Sequence, residues 1–167
     1  VIDCSADMPE NAAERFLVKR ELNKYKYISC RDSVSEKIIS EMAKKSIIHR
    51  HEDLVFALDE SFISKPTGED CLGIIPVQRG FSAENFEYYK KIAYACDAFF
   101  RKERKNVLLF ALDSGNENDT LAALSIKNLM KSRSAAEIIV YNSDAEYIFK
   151  NIARCGKIIS SRFHGVI

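Results

Sequence analysis

The sequence predicts an α/β domain built around a parallel sheet that helices cover on both faces. Segments with helical periodicity alternate along the chain with short segments of strand length. The strand-like segments are apolar almost throughout, which is typical of strands buried on both faces of a sheet. Strands of this kind, joined by helices, favour a doubly wound fold. We therefore expect residues 1–167 to form a single Rossmann-like domain with a doubly wound parallel sheet.

The elements follow one another with short connections, and each is justified by its own pattern. The first helix carries Phe16, Leu17, Arg20 and Leu22 at helical spacing. In chain order we predict helix 9–25, strand 26–29, helix 33–45, strands 53–58 and 71–77, helix 82–105, strand 107–112, helix 117–131, strand 137–141, helix 144–155 and strand 157–160. The last strand has the sequence KIIS and is expected to be buried.

The second and third helices have the clearest start signals. Ser33 and Glu36 form a Ser-x-x-Glu pattern, which predicts a capping box at the start of the second helix. The third helix is predicted to be capped by Ser82, with Phe81 packing onto Phe86. Its apolar residues recur at spacings of three and four and predict one buried stripe, composed of Phe86, Tyr89, Ala93, Cys96 and Phe100.

The composition excludes several functional classes. Apolar residues make up 47% of the chain, charged residues 29%, and the net charge is +1, so a strongly basic surface for nucleic acid is not expected. The longest apolar run, residues 107–112, is far shorter than the roughly 20 residues of a membrane-spanning helix. The five scattered cysteines predict reduced, mostly buried thiols. The His-Arg-His segment at 49–51 is interpreted as a solvated turn rather than a metal site.

Polar residues that could bind a ligand follow the ends of the predicted strands. Parallel sheets bind ligands outside the carboxyl ends of their strands. Arg31, Arg79 and Arg162 each follow a predicted strand, and His164 lies two residues after Arg162. Because the chain as a whole is nearly neutral, three arginines at one edge predict a site for a small phosphate or carboxylate anion. The alternative is structural, since an Arg-Asp step such as Arg31-Asp32 is often a local ion pair or a helix cap.

Common nucleotide and hydrolase motifs are absent from the sequence. It has no G-x-G-x-x-G, no P-loop and no G-x-S-x-G segment. A Cys-His catalytic pair is not favoured either. Cys155 precedes the last strand and His164 follows it, so the two should lie at opposite ends of that strand.

Five segments, taken in order, resemble the polysaccharide pyruvyl transferases. They are YISCRDSVSEKIISEMA, DLVFAL, LGIIPVQR, LLFALDSGNEND and KIISSRFHGVI, and the resemblance covers about residues 10–167. The Arg31-Asp32 step and the Arg162-Phe163-His164 triplet are its most specific parts. The sequence departs from the family pattern at Leu54, where a proline is common, and in a short Gln-Arg-Gly loop that leaves the role of Arg79 open.

The resemblance implies the C-terminal domain of a two-domain fold similar to that of the B-type (GT-B) glycosyltransferases, so we expect the chain to be an excerpt of a longer protein. It also implies an enzyme that transfers a pyruvyl group from phosphoenolpyruvate to a sugar of a cell-surface polysaccharide or its precursor, forming a pyruvate ketal. The positions matched to phosphoenolpyruvate are Arg31, Arg162, Phe163 through its backbone, and His164, with Arg79 as a further candidate.

The resemblance implies no cofactor, because phosphoenolpyruvate itself is the donor. No metal-ligating residues are predicted, and the sequence leaves the metal dependence of the reaction open. The implied partner is a saccharide acceptor, either free or lipid-linked. No nucleic-acid partner is implied. The implied location is the cytoplasm, including the inner face of the membrane through the acceptor. We hypothesise that His164 is the general acid, with protonation favoured once a multiply charged anion binds beside it.

Two other functions share parts of the pattern. A glycosyltransferase with a nucleotide-sugar donor would use the same fold and the same demand for anion binding, with Asp113 or Asp119 on the ribose hydroxyls. A non-catalytic role in assembly, or in binding an anionic glycan, would need only the fold and the basic edge. Stabilisation by phosphoenolpyruvate, by a nucleoside diphosphate or by neither distinguishes the three.

Overall fold

The computed structural model describes residues 6–53, 56, 65–80, 82–113, 118–163 and 165–166. The chain divides into two compact units, Val1–Asp59 and Glu60–Ile167, here called the N-terminal and C-terminal units. Both units combine helices with parallel strands, so the predicted α/β class is confirmed and is compatible with a Rossmann-like fold. The single domain over residues 1–167 stays a prediction.

The N-terminal unit is a small helix-strand-helix-strand arrangement. Its elements are α1 (Ala12–Leu22), β1 (Tyr27–Cys30), α2 (Ser33–Met42) and β2 (Ile47–Arg50). β1 and β2 pair in parallel with Tyr27 opposite Ile47. The core of the unit lies where α2 covers this strand pair, and its buried residues are Ile28, Cys30, Ile39 and Ala43.

Two expectations for this unit need correction. The His-Arg-His segment is not a turn, because His49 and Arg50 belong to β2. The apolar part of β2 is only two residues long and the strand is largely exposed. The hydrophobic pattern of residues 47–50 therefore did not predict a strand. The helical spacing of Phe16 and Leu17 does predict α1, yet both side chains are exposed and α1 shows no buried residue within its described length.

The C-terminal unit contains a four-stranded parallel sheet. Its elements are β3 (Cys71–Ile75), α3 (Ala83–Glu103), β4 (Val107–Ala111), α4 (Asp119–Leu129), a 3-10 turn (Arg133–Ala135), β5 (Ala136–Val140), α5 (Ala145–Ile152) and β6 (Cys155–Ser160). The strand order is β5-β4-β3-β6. β4 and β3 therefore occupy the centre of the sheet, and β5 and β6 are its edges.

Burial follows the position of each strand in the sheet. All five residues of β3 and all five of β4 are buried, as their continuous apolar sequences predict. β6 is an edge strand, and the expectation that it is buried is wrong: Ile159 is 51% exposed and Lys157 is exposed as well. An edge strand has a neighbour on one side only, which its apolar sequence alone does not reveal.

The long helix α3 confirms most of the predicted stripe. Tyr89, Ala93 and Cys96 are buried against β4 and α4, and Ser82 caps the helix by accepting a hydrogen bond from the backbone N–H of Asn85 at 3.3 Å. Phe100 is only partly buried, and Phe86 is 50% exposed. Phe86 lines a cavity of about 720 Å³ between α3 and α4 instead of entering the core. Phe81, its predicted partner, lies outside the described residues.

The predicted strand at 53–58 lies largely outside the described residues, since only Asp53 and Phe56 are described and neither is in a strand. The other predicted strands and helices are present with shifts of a few residues at their ends. Within the part of the chain that the structure describes, no helix combines the length and apolar character that crossing a bilayer requires.

The cysteines of the described ranges are thiols, as predicted, and Cys30, Cys71 and Cys96 are buried. Burial raises the pKa of Cys96 to about 12 and the pKa of Cys155 to about 12 as well. It also raises the pKa of Cys71, since a thiolate would lose its hydration there. These thiols are therefore structural and poorly nucleophilic.

We expect the thiols of a Cys4→Ser variant to react with a disulfide reagent at about pH 8 far more slowly in the folded protein than in denaturant.

The folded-state pKa of Cys96 lies above its unfolded value. The contribution of the Cys96 thiol to the free energy of unfolding is therefore complete below about pH 8.5 and is lost as the pH rises towards the folded value of about 12. Urea unfolding of the parent and of Cys96→Ala at increasing pH measures this. An equal pH dependence in both proteins would contradict it.

Candidate functional site

The carboxyl ends of the strands in the C-terminal unit meet at one edge of its sheet. Ile75, the last residue of β3, pairs with Ser160, the last residue of β6, and the N–H of Ser161 donates to the carbonyl of Ile75 at 2.9 Å. Ala111 and Val140 end β4 and β5 in the same way. The loops that follow β3, β4 and β6 therefore emerge side by side, as the parallel topology requires.

A buried carboxylate at this edge binds the guanidinium of Arg162. Asp119 is the first residue of α4 and is fully buried. Arg162 donates from Nε to Oδ2 of Asp119 at 2.7 Å and from Nη2 to Oδ1 at 2.8 Å, a two-pronged ion pair. Asp113, which follows β4, lies 3.9 Å from the same guanidinium. Such a pair fixes the plane of the guanidinium as well as its position.

The same carboxylate also binds the two neighbouring loops. The backbone N–H of Gln78, after β3, donates to Oδ1 of Asp119 at 3.3 Å, and the N–H of Asp113 donates to Oδ2 at 3.0 Å. Each carboxylate oxygen thus accepts one bond from Arg162 and one from the backbone. Asp119 therefore connects the loops after β3, β4 and β6.

The loop that carries Arg79 is anchored by the start of α3. The buried hydroxyl of Tyr89 donates to Oε1 of Gln78 at 2.5 Å and accepts from the N–H of Arg79 at 2.9 Å. The guanidinium of Arg79 lies over the ring of Tyr88, with its carbon 4.7 Å from the ring centroid. The hydroxyl of Tyr88 is 2.6 Å from the hydroxyl of Ser161, beside Arg162. Tyr88 thus connects the loop that carries Arg79 with the loop that carries Arg162.

The loop after β6 is shaped by its own hydroxyl. Oγ of Ser160 accepts from the N–H of Arg162 at 3.0 Å and donates to its carbonyl at 2.8 Å. Phe163 is 58% exposed, and its carbonyl accepts from the N–H of Val166 at 2.9 Å. His164 lies outside the described residues, so its predicted role stays a prediction.

Arg31 belongs to the N-terminal unit, directly after β1. Its Nη1 is 3.1 Å from Oδ2 of Asp53, whose side chain is only 8% exposed. Asp32 is the N-cap of α2 and accepts from the N–H and from the hydroxyl of Ser35, both at 2.7 Å. The predicted capping box of Ser33 and Glu36 is therefore wrong by one residue, because Asp32 offers a carboxylate to the same free N–H groups.

Two of the three predicted arginines therefore belong to one edge of one sheet. The loops that carry Arg79 and Arg162 both lie there, while Arg31 pairs with a carboxylate in the N-terminal unit. The assignment of Asp119 to ribose hydroxyls is wrong, because its buried carboxylate already accepts four hydrogen bonds. Asp113, with a side chain 39% exposed, keeps that option.

Metal binding receives no support from the described residues. Among them, no group of three or more His, Cys, Asp or Glu side chains is placed to hold an ion. The ring centroids of His49 and His51 lie 6.0 Å apart. Within the described residues, no acidic or thiol side chain completes a metal-binding group with them. The chemistry that the arrangement offers is anion recognition by oriented guanidinium groups.

Comparison with known families decides the identity of the chain. The family model for polysaccharide pyruvyl transferases matches residues 4–167. The chain belongs to the polysaccharide pyruvyl transferase family. This confirms the resemblance found in the five sequence segments. A search of the curated proteins finds no match, and neither does a search of the solved structures.

Membership of the pyruvyl transferase family gives the edge of the C-terminal unit a meaning. The name of the family describes an enzyme with a polysaccharide as acceptor. The structure adds residues that sequence reasoning missed: Asp53 and Asp119 as partners of the two motif arginines, and Tyr88 and Tyr89 beneath Arg79. The sequence signal for Asp53 was its position directly before Leu54, where the family pattern commonly has a proline. For Tyr89 only its core spacing was visible.

In the pyruvyl transferase, Asp32→Ala should lower the free energy of unfolding by about 1 kcal/mol, since the first turn of α2 loses a charged cap. Ser33→Ala is the matched control, because Ser33 is exposed and is the first helical residue rather than the cap. We expect it to change stability by less than about 0.5 kcal/mol. Denaturant titration compares the two variants, and a larger loss for Ser33→Ala would restore the capping box.

Proposed function

We propose that this pyruvyl transferase uses phosphoenolpyruvate as its donor and forms a pyruvate ketal on a sugar of a cell-surface polysaccharide or its precursor. The observation that carries the proposal is the Arg162 guanidinium, held in one plane by Asp119 at the carboxyl edge of a parallel sheet. It lies in the segment most specific to the family. A planar guanidinium in a fixed orientation suits a phosphate or carboxylate group.

Phosphoenolpyruvate carries a phosphate and a carboxylate on one three-carbon frame. It therefore needs cationic or N–H donors on more than one side. We assign Arg31 and Arg162 to these two groups, with the backbone of Phe163 as a further contact. Arg79 is the second arginine at the edge of the C-terminal unit, and its stacking on Tyr88 orients it there. Each charge-assisted contact is worth about 1.5–3 kcal/mol.

The reaction requires one proton at carbon and two bonds to sugar oxygens. A proton adds to the methylene carbon of phosphoenolpyruvate, which becomes a methyl group, and positive charge develops at the neighbouring carbon. One sugar hydroxyl attacks that carbon and loses its proton, after which the carbon–oxygen bond to phosphate breaks. A second hydroxyl attacks, loses its proton and closes the cyclic ketal, so phosphate is the only other product.

We assign the first proton to His164, which follows Arg162 and Phe163 in the family segment. Imidazole is the side chain best suited to deliver a proton near neutral pH, and a positioned general acid contributes about 10²–10⁴-fold in rate. The acceptor in this proposal is a saccharide, free or lipid-linked, and the reaction takes place in the cytoplasm or at the inner face of the membrane. The two-domain GT-B-type architecture belongs to the same proposal.

The competing function is glycosyl transfer from a nucleotide sugar. The only observation in its favour among the described residues is Asp113, a partly exposed carboxylate after β4 that could bind ribose hydroxyls. It shares the basic edge with the pyruvyl transferase mechanism, so the donor and not the fold separates the two functions.

Phosphoenolpyruvate should raise the melting temperature of the full-length protein, whereas a nucleoside diphosphate should not, because a ligand that binds the native state stabilises it. Arg162→Ala and Arg31→Ala should each weaken phosphoenolpyruvate binding by at least about tenfold, as expected for the loss of one charge-assisted contact. Arg154→Ala is the control, since Arg154 pairs with Glu69 and Glu137 at the start of β6, away from its carboxyl end. Stabilisation by the nucleotide alone would favour the glycosyltransferase.

His164→Asn should reduce phosphate release from phosphoenolpyruvate by about 10²-fold or more, with a much smaller effect on binding, because asparagine keeps polarity but carries no transferable proton. The measurement is phosphate release with phosphoenolpyruvate and a panel of lipid-linked or nitrophenyl sugars. Near-normal turnover by His164→Asn would remove His164 from the chemistry.

A further inference from the structure

The C-terminal unit buries two aspartates that both bind backbone N–H groups, but only one of them touches a motif residue. Asp119 is fully buried and accepts two bonds from Arg162 and two from the backbone of Gln78 and Asp113. Asp97, on α3, is 7% exposed and accepts from the N–H groups of Lys131 and Ser132 at 2.8 and 2.9 Å. Both carboxylates are buried, so Asp97 serves as a control for the loss of buried backbone hydrogen bonds.

The bonding pattern around Asp119 requires a carboxylate. Its Oδ1 accepts from Nη2 of Arg162 and from the N–H of Gln78, and its Oδ2 accepts from Nε of Arg162 and from the N–H of Asp113. All four neighbours are donors. An asparagine in either orientation would place its NH₂ group against two of them, so it could satisfy only one side of the arrangement.

The pairing acts on the direction of the guanidinium as well as on its charge. Two bonds on the Nε and Nη2 edge leave Arg162 no rotation about its last side-chain bond without breaking one of them. The two backbone bonds hold the carboxylate itself to the loops after β3 and β4. The orientation of Arg162 is therefore set before any ligand arrives, which lowers the entropy cost of binding.

We propose that Asp119 is the positioning residue for the donor anion: it fixes the plane of the Arg162 guanidinium, by which the enzyme binds phosphoenolpyruvate, and acts on the substrate only through that side chain. This inference rests on the proposed function, because the anion is the donor named there. It adds a residue that lies 43 positions from Arg162 in the chain and outside the family segment that contains Arg162.

The first test compares Asp119→Asn with Asp97→Asn in the full-length enzyme. We expect Asp119→Asn to raise the KM for phosphoenolpyruvate about tenfold or more, with a smaller change in kcat, as for a weakened charge-assisted contact. Asp97→Asn also leaves a buried N–H without its acceptor, and it should lower the melting temperature comparably while the KM changes less than about twofold. An equal KM in both variants would overturn the positioning role.

The second test asks whether Asp119 acts through Arg162. Arg162→Lys keeps a positive charge but offers no planar fork. If Asp119 acts by orienting the guanidinium, Asp119→Asn should change the KM less than about twofold in the Arg162→Lys background, so that the effects of the two substitutions are strongly non-additive. Additive effects on the KM would show that Asp119 does not act through Arg162.

A third measurement needs no activity and separates this inference from the proposed function. In the wild-type protein the Nε–H resonance of Arg162, assigned by its absence in Arg162→Lys, should exchange slowly with water, since it is bonded to a buried carboxylate. Fast exchange in the wild type would overturn the positioning role even if Asp119→Asn did not fold. A protected resonance in an enzyme that releases no phosphate from phosphoenolpyruvate would retain the oriented guanidinium and reject the donor.

Discussion

The edge of the C-terminal unit depends on one buried charge. A carboxylate removed from water is tolerated only where donors replace its hydration, and Asp119 has four of them. Those donors come from the loops after three strands, so the carboxylate cannot be satisfied unless all three loops are in place. The position of Arg162 is then a consequence of folding the sheet, and the site is formed together with the core beneath it.

The N-terminal unit uses a related arrangement for the other motif arginine. Arg31 pairs with Asp53, whose side chain is also nearly buried, and the neighbouring residue Asp32 caps α2. The Arg-Asp step thus contains two separate functions: the arginine extends to a distant carboxylate and the aspartate stabilises the helix start. Each motif arginine thus pairs with a buried aspartate from another segment of the chain, and the two bonds to Asp119 fix the plane of the Arg162 guanidinium.

Periodicity was enough to predict the α/β class and most of the elements, because continuous apolar runs such as those of β3 and β4 have few other folds open to them. It failed where burial depends on which elements pack against a residue. β6 is also apolar but lies at the edge of the sheet, and Phe86 has core spacing yet lines the cavity between α3 and α4. The partner of Arg162 could not be predicted either, since 43 residues separate it from Asp119 and no local pattern links them.

Pairing Arg162 with a buried aspartate also changes the kind of recognition that this edge of the sheet can perform. The charge of Arg162 is largely balanced by Asp119, so a ligand gains little from long-range attraction, in keeping with a net charge of only +1 on the whole chain. Affinity then depends mainly on hydrogen-bond geometry. An oriented guanidinium binds an anion whose oxygens match its N–H groups more tightly than an anion of equal charge and different shape. Selectivity among the many small phosphates of a cell needs this property, and a flexible, unpaired arginine would not supply it.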